Sequence, residues 1–124
     1  MQSRGKLPIT LGQIKPRGKL PIKLGQIEQT ALLQNYPNPF NPETWIPFVL
    51  NETADVEIRI YDVFGILART LRLGQKAKGE YRSKDKAAYW DGKNDAGEVL
   101  GSGIYFYEMR TGDYTSVRKA MLRK

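Results

Sequence analysis

The sequence predicts an all-β protein, an antiparallel β-sandwich of about seven strands preceded by an extended N-terminal arm. Three observations predict it. Apolar and polar residues alternate in short segments such as Val56, Ile58 and Ile60, which is the period of a half-buried strand. Gly, Asn and Asp clusters separate these segments at regular intervals, as in all-β domains. No segment has the period of an amphipathic helix, and the roughly 95 residues after the arm suffice for one small sandwich.

The strands and turns can be placed in order along the chain. We expect strands at residues 45–50, 56–61, 67–73, 104–110 and 114–122, the last two forming a hairpin across residues 111–113. Pro47 marks an edge or a bulge in the first strand, because proline cannot donate to a ladder. Gly65 is predicted to take a positive φ in the turn after the second strand. Residues 74–78 are expected to be a polar loop, residues 81–90 an irregular connection and residues 91–97 a tight hairpin-like loop.

The segment at residues 33–42 has an unusual composition. Three prolines and three asparagines surround two aromatic residues, Tyr36 and Phe40. Proline fixes its own φ and pushes the residue before it toward extended geometry, so the segment cannot be helical and is stiff. We therefore expect a fixed loop that lays Tyr36 and Phe40 against the core.

Several motifs follow this segment at defined positions. They are Thr44-Trp45, Trp90-Asp91-Gly92-Lys93-Asn94, Gly101-Ser102-Gly103-Ile104-Tyr105-Phe106-Tyr107 and the terminal Arg118-Lys119-Ala120-Met121-Leu122. Together with the proline-rich segment, they resemble the C-terminal sorting domains of type IX (Por) secretion cargo, which are similar to the immunoglobulin-like domain of flagellar hook-capping proteins. The resemblance covers roughly residues 30–124 and comprises several motifs in order.

The resemblance implies a fold, a function and a site. The fold is an immunoglobulin-like sandwich, and the function is a non-enzymatic C-terminal module. Such a module takes an exported bacterial protein through a dedicated secretion machine and leaves it secreted or attached to the cell surface. The recognised element is the overall fold with its C-terminal hairpin, here residues 114–124. The implied sorting residues are Arg118, Lys119, Met121 and Leu122.

Residues 1–29 form a basic arm with an internal repeat. The sequence Arg4-Gly5-Lys6-Leu7-Pro8-Ile9-Thr10-Leu11-Gly12-Gln13-Ile14-Lys15 recurs 13 residues later, with Lys23 in place of Thr10 and Glu28 in place of Lys15. Leu and Ile alternate with other residues in each copy, at Leu7, Ile9, Leu11, Leu20, Ile22 and Leu24. This pattern predicts a half-buried strand, and the prolines at positions 8 and 21 restrict it to an edge.

Two interpretations of the arm stay open. It is a linker that folds back on its own sandwich, or it adds as a strand to a neighbouring subunit, with Leu and Ile side chains filling grooves there. The second interpretation gives an alternative function, a structural subunit of an extracellular filament assembled by strand donation between identical subunits. A head-to-tail contact that does not close produces such a filament.

Charge and composition exclude several classes of function. Residues 1–28 hold six Lys and Arg residues against one Glu, which leaves +2 of the chain's net charge of +7 for the remainder. Nucleic-acid binding is therefore not expected of the folded part. The chain has no His and no Cys, which removes the usual general base and the thiol nucleophiles. We expect no enzyme activity, no small-molecule substrate and no membrane-spanning segment.

Carboxylates near residue 91 are the remaining candidates for chemistry. Asp85, Asp91, Asp95 and Glu98 are close in sequence and could pair for acid–base work. Asp91, Asn94, Asp95 and Glu98 could also offer oxygens to a structural calcium ion. Lys93 occupies the third position of that set and Gly97 falls one place late, which departs from the EF-hand pattern. The prediction is therefore a turn stabilised by Asp and Asn side chains, with no cofactor.

Overall fold

The computed structural model describes residues 27–124. Within this range the chain forms nine strands and no helix. The strands are β1 (Ala31–Leu32), β2 (Thr44–Ile46), β3 (Phe48–Leu50), β4 (Ala54–Tyr61), β5 (Leu67–Lys76), β6 (Gly79–Tyr81), β7 (Ala88–Trp90), β8 (Gly103–Thr111) and β9 (Tyr114–Leu122). The predicted all-β antiparallel sandwich is confirmed. No helix long and apolar enough to cross a membrane is found between residues 27 and 124.

The larger layer is a four-stranded antiparallel sheet in the order β9-β8-β4-β5. β4 was predicted from its alternation, and its three apolar residues Val56, Ile58 and Ile60 are buried. The hairpin of β8 and β9 pairs along its whole length, from Tyr114 opposite Thr111 to Leu122 opposite Gly103. β9 is thus the outer strand of this sheet.

The facing layer consists of a three-stranded sheet, β1-β3-β6, and a two-stranded sheet, β2-β7. The single strand predicted over residues 45–50 is two strands, β2 and β3, that belong to different sheets. Pro47 separates them, because it has no N–H to continue a ladder. Its carbonyl oxygen accepts a hydrogen bond from the backbone N–H of Leu33 (3.0 Å).

Two further predictions need correction. The polar loop expected at residues 74–78 begins inside β5, because Gly74 has φ 77° and lies opposite Val56 where the β4–β5 register shifts. A glycine with positive φ is a frequent first residue of a β-bulge, so the strand continues past it. The irregular connection expected at residues 81–90 starts at the end of β6 and finishes as β7, which pairs with β2.

The core lies between the two layers and contains Leu32, Phe40, Ile46, Phe48, Leu50, Val56, Ile58, Ile60, Leu71, Ala88, Trp90, Tyr105, Tyr107, Met109, Ala120 and Leu122. The ring centroid of Trp90 lies 5.2 Å from that of Phe40, in a tilted arrangement, and 5.6 Å from that of Tyr105, edge to face. Phe40 therefore packs in the core as predicted. Tyr36 does not, since it is half-buried and lies 6.4 Å from the Trp45 ring outside the core.

The outer face of the three-stranded sheet carries a second, smaller apolar contact. Phe48 and Leu50 face the core, so Val49 between them faces outward, yet its side chain is only 5% exposed. Ile27, the penultimate residue of the second repeat copy, is 7% exposed. It lines a common cleft with Val49 and Leu33. The last apolar residue of the repeat thus lies against the outside of the sheet.

Candidate functional site: the C-terminal hairpin and the loop that holds it

The C-terminal hairpin is held along its outer edge by residues 33–42, the proline loop. The side-chain amide of Gln34 donates to the carbonyl oxygen of Lys119 (2.9 Å). The backbone N–H of Met121 donates to Oδ1 of Asn38 (2.9 Å), and its carbonyl oxygen accepts from the N–H of Phe40 (2.9 Å). The N–H of Arg123 then donates to the carbonyl oxygen of Phe40 (2.9 Å). The second half of β9 therefore has a continuous partner on its outer side.

Tyr107 of β8 ties the hairpin to the start of the proline loop. Its hydroxyl accepts from the backbone N–H of Asn35 (2.8 Å) and donates to the carbonyl oxygen of Leu33 (2.8 Å). Burial of the ring raises the pKa of Tyr107 to about 12, against small opposing effects of the Asn35 N–H and the Arg118 charge. The phenol consequently stays neutral and serves as both donor and acceptor over the ordinary pH range.

Arg118 and Tyr114 of β9 reach across to β1. Nε of Arg118 donates to the carbonyl oxygen of Leu32 (2.7 Å), and the hydroxyl of Tyr114 accepts from the Leu32 N–H (3.2 Å). Arg118 lies opposite Tyr107 in the β8–β9 register. Its side chain therefore connects β9 of the larger sheet to β1 of the facing layer.

Buried polar groups stiffen the proline loop itself. Nδ2 of Asn35 donates to Oγ1 of Thr44 (2.9 Å) and to the carbonyl oxygen of Pro37 (3.2 Å). Oγ1 of Thr44 donates in turn to the same Pro37 oxygen (3.0 Å). Asn35 and Thr44 are both buried. Because buried polar groups with all partners satisfied rigidify their surroundings, the loop presents a fixed edge to β9.

The four implied sorting residues differ in their environment. Arg118 and Lys119 are exposed, Met121 is half-buried, and Leu122 is 1% exposed in the core. Lys119 is on the outward side of β9, opposite Phe106. A partner that approached the outer strand would thus meet Lys119 and part of Met121 directly, whereas Leu122 anchors the end of the strand.

The six predicted strand-donation residues, Leu7, Ile9, Leu11, Leu20, Ile22 and Leu24, lie outside the described residues. From the repeat, only Ile27 and Glu28 fall within them.

The carboxylates near residue 91 form turns and bind one arginine. Oδ1 of Asp91 accepts from Nη1 of Arg69 (3.0 Å) and from the N–H of Lys93 (3.1 Å). Asp95 accepts from the N–H of Thr70 (3.1 Å) and lies 3.6 Å from Nε of Arg69.

Asn94 organises the rest of this loop. Its Oδ1 accepts from the N–H groups of Ala96 (3.0 Å) and Glu98 (2.9 Å), and its Nδ2 donates to Oε1 of Glu98 (2.8 Å). Residues 27–124 contain no group of three or more His, Cys, Asp or Glu side chains arranged to hold a metal ion. A turn without a cofactor stays the prediction for this loop, with a structural calcium ion near Asp91 and Asp95 as its alternative.

An exterior aromatic surface was missed by the sequence analysis. The ring of Trp45 lies between Tyr36 and Tyr89, with centroids at 6.4 Å and 5.6 Å, and Nζ of Lys84 is 4.2 Å from the Trp45 centroid. These residues belong to separate chain segments: the pairing of β2 with β7 places Tyr89 beside Trp45, and a β-bridge places Tyr36 beside Trp45. The alternation of buried Thr44 and Ile46 around Trp45 was the signal that this ring faces outward.

Residues 42–114 match the family model of the FlgD Ig-like domain. That stretch is more than half of the chain. The chain belongs to the FlgD Ig-like domain family. Within the FlgD Ig-like domain, the matched residues run from Pro42 to the first residue of β9. Most of the proline loop and nearly all of β9 therefore flank the matched region, although they are hydrogen-bonded to each other.

Two solved structures are similar to this FlgD Ig-like domain. Dimeric latent PorU from Porphyromonas gingivalis has a TM-score of 0.56 and 18% sequence identity, over 77% of this chain and 10% of that chain. FlgD from P. aeruginosa has a TM-score of 0.47 and 27% identity, over 60% of this chain and 56% of that chain. The likeness to PorU concerns the fold. No curated protein sequence matches the chain significantly.

Proposed function

We propose that the chain is a non-enzymatic sorting module that directs an exported bacterial protein through a type IX secretion machine. The protein is then released or attached to the cell surface. Membership of an Ig-like domain family supports a binding or structural role. The observation that carries the proposal is the outer strand β9, whose exposed Arg118 and Lys119 stand on a backbone held by the proline loop. A rigid edge strand can be recognised without a cost of ordering it.

The hydrogen bonds restrict how a receptor would engage β9. The N–H and C=O of Met121 and the C=O of Lys119 are bonded to the proline loop. Addition of a receptor strand along this half of β9 would have to displace those bonds. Recognition by side chains, with Lys119 as the central contact, is therefore the mode that the geometry favours. The partner is accordingly an acidic or polar surface of the secretion machinery.

A secretion assay tests this function. A fluorescent passenger is fused ahead of the full chain in a bacterium that has a type IX machine, and the exported fraction is measured with and without the machine. Lys119→Glu should lower the exported fraction several-fold, while Lys86→Glu, on the exposed turn between β6 and β7, should leave it unchanged. Equal export of both folded variants, or export that is independent of the machine, would contradict the proposal.

A second function is favoured by a separate observation. Ile27, the last apolar residue of the second repeat copy, is buried on the outer face of the three-stranded sheet. This sandwich can therefore hold part of a repeat copy, and the first copy has the same Gly-Gln-Ile sequence at residues 12–14. We propose as the alternative that the chain is a structural subunit whose arm joins identical subunits outside the cell.

A further inference from the structure

The turn between β4 and β5 exposes a cluster of large apolar side chains, here named the apolar turn: Val63, Phe64, Ile66 and Leu67. Phe64 is 82% exposed, Ile66 62% and Val63 57%. The turn is nevertheless well built, because Oδ1 of Asp62 accepts from the N–H groups of Phe64 (2.9 Å) and Ile66 (3.0 Å). A fixed turn with exposed apolar side chains is typical of a contact surface.

A groove separates the apolar turn from the loop at residues 94–100. It has a volume of about 340 Å³, and its lining combines apolar groups with two carboxylates. Ile66, Leu67 and Leu100 supply apolar surface, and Asp62 and Asp95 supply carboxylates, of which Asp95 also lies 3.6 Å from Nε of Arg69. No Lys or Arg of the described residues lines it. A complementary occupant is therefore an apolar segment that carries positive charge.

The N-terminal arm has this chemistry. Residues 1–26 contain six Lys and Arg residues and no Asp or Glu. In the first repeat copy, Leu7, Ile9 and Leu11 alternate with other residues, and Lys6 and Lys15 flank them. Alternate side chains of an extended segment point the same way. The apolar row would thus face Ile66 and Leu100, with Lys6 and Lys15 at its two ends attracted by the carboxylates of Asp62 and Asp95.

The groove and the point where the arm joins the domain lie at opposite ends of the sandwich. Nδ2 of Asn51 donates to the carbonyl oxygen of Glu28 (3.1 Å), which places the arm junction at the start of β4. Asp62 follows directly after the last residue of β4. The eight residues of β4 span about 26 Å at 3.3 Å each. An arm that leaves one end can therefore meet the far end of a neighbour when subunits are arranged head to tail.

We infer that the groove between the apolar turn and residues 94–100 receives the first repeat copy, residues 4–15, from a second copy of this chain. The inference rests on the second proposed function and supplies its acceptor site. The contact is head to tail, because donor and acceptor surfaces differ. Repetition of a contact that does not close on itself produces an open chain of subunits.

Light scattering on the full chain tests the inference. The wild-type chain should have a mass at least about twofold above its 14.1 kDa monomer at low salt, increasing with concentration. At about 1 M salt, where the screening length is about 3 Å, the mass should fall. Phe64→Ser with Ile66→Lys should give a monomer, because the double change removes apolar contact surface from the apolar turn. Both side chains are exposed, so the variant should still fold. Val117→Lys changes an exposed residue on β9 and should still assemble.

Arm variants separate failure of the groove from failure of the function. Ile9→Asp should give a monomer, since it places a charge in the apolar row. A wild-type chain that is monomeric at every concentration would overturn both the groove and the second proposed function. If Ile9→Asp is monomeric but Phe64→Ser with Ile66→Lys assembles as the wild type does, the arm joins subunits elsewhere and the groove is wrong. If the groove variant is monomeric and Ile9→Asp still assembles, the occupant is not the arm.

Discussion

Gly92 is the residue at which the backbone geometry is most restrictive. Its φ is 77°, and a Cβ atom there would meet the carbonyl oxygen of Pro42 in the proline loop. We expect Gly92→Ala to lower the unfolding free energy by about 3 kcal/mol. About 1 kcal/mol of this is the cost of a positive φ for alanine, and about 2 kcal/mol is the cost of displacing the backbone. Gly65→Ala is the control, because Gly65 has φ 79° and no atom near that position. Denaturant unfolding that shows equal losses would contradict the role of the Pro42 contact.

Tyr107 makes the unfolding free energy of the domain depend on pH in the alkaline range. Its pKa is raised to about 12, whereas a phenol in the unfolded chain has a pKa of about 10. Below pH 10 the group is neutral in both states and its contribution is fully present. Between about pH 10 and 12 the unfolded chain releases a proton that the folded domain retains, so about 2 to 3 kcal/mol of unfolding free energy is lost. Tyr107→Phe should remove this part of the pH profile measured by chemical unfolding.

Thr111 and Thr44 form a matched pair of buried threonines. Oγ1 of Thr111 is buried without a hydrogen-bond partner among residues 27–124, whereas Oγ1 of Thr44 is bonded to Asn35 and Pro37. An unpaired buried hydroxyl costs free energy that a methyl group does not. Thr111→Val should therefore raise the unfolding free energy by about 1 kcal/mol, and Thr44→Val should lower it by about 1 to 3. A loss for Thr111→Val in thermal or denaturant unfolding would show that its hydroxyl has a partner.

At the scale of the element, the proline loop acts as a clamp on the second half of β9. Asn38→Ala removes the acceptor of the Met121 N–H, which should speed amide exchange at Met121 and Arg123 while β8 keeps its protection. The expected loss of stability is only about 1 kcal/mol, because that N–H can bond water instead. Hydrogen exchange followed by NMR measures both effects. Uniformly faster exchange along β8 and β9 would mean that the hairpin opens as one unit and that Asn38 is no local clamp.

Elements that carry their own pattern were predictable from the sequence. β4 has three apolar residues in strict alternation, and the final hairpin turns at Gly112, where φ is 55°. The strands β1, β6 and β7, of two or three residues, are too short to show a period and exist because of their partners. The split at Pro47 was visible as a break, but the separate sheets of β2 and β3 depend on tertiary pairing.

The site was predictable only where its residues are adjacent in sequence. The terminal motif indicated β9 and its exposed residues. The bonds from Tyr107 to Asn35 and Leu33 join segments more than 70 positions apart, and no local pattern encodes such a pairing. The burial of Leu122 follows from the alternation of side chains along β9. The side chain of Tyr114 faces the core at the start of the strand, and those of Ala120 and Leu122 face it at the end.

At the scale of the whole molecule, most of the net positive charge lies in residues 1–26. Residues 1–26 carry +6, so residues 27–124 carry +1 of the total of +7. Among residues 27–124 the ion pairs are partly exposed, including Arg69 with Asp91 and Asp95. Exposed pairs contribute little to stability. Salt should therefore weaken the association of the arm with carboxylates far more than it changes the stability of the sandwich, which depends on its core.

The junction between arm and sandwich offers the last prediction. Ile27 covers Val49 on the outer face of the three-stranded sheet, and the repeat supplies an identical residue, Ile14, at the same place in the first copy. Ile27→Ala should lower the unfolding free energy by about 2 kcal/mol, the low end for a buried isoleucine because the contact lies at the sheet surface. Ile14→Ala is the control and should change it little at a concentration where the chain is monomeric. Equal losses in denaturant unfolding would mean that the two copies exchange places on the Val49 surface, so that neither is the fixed junction.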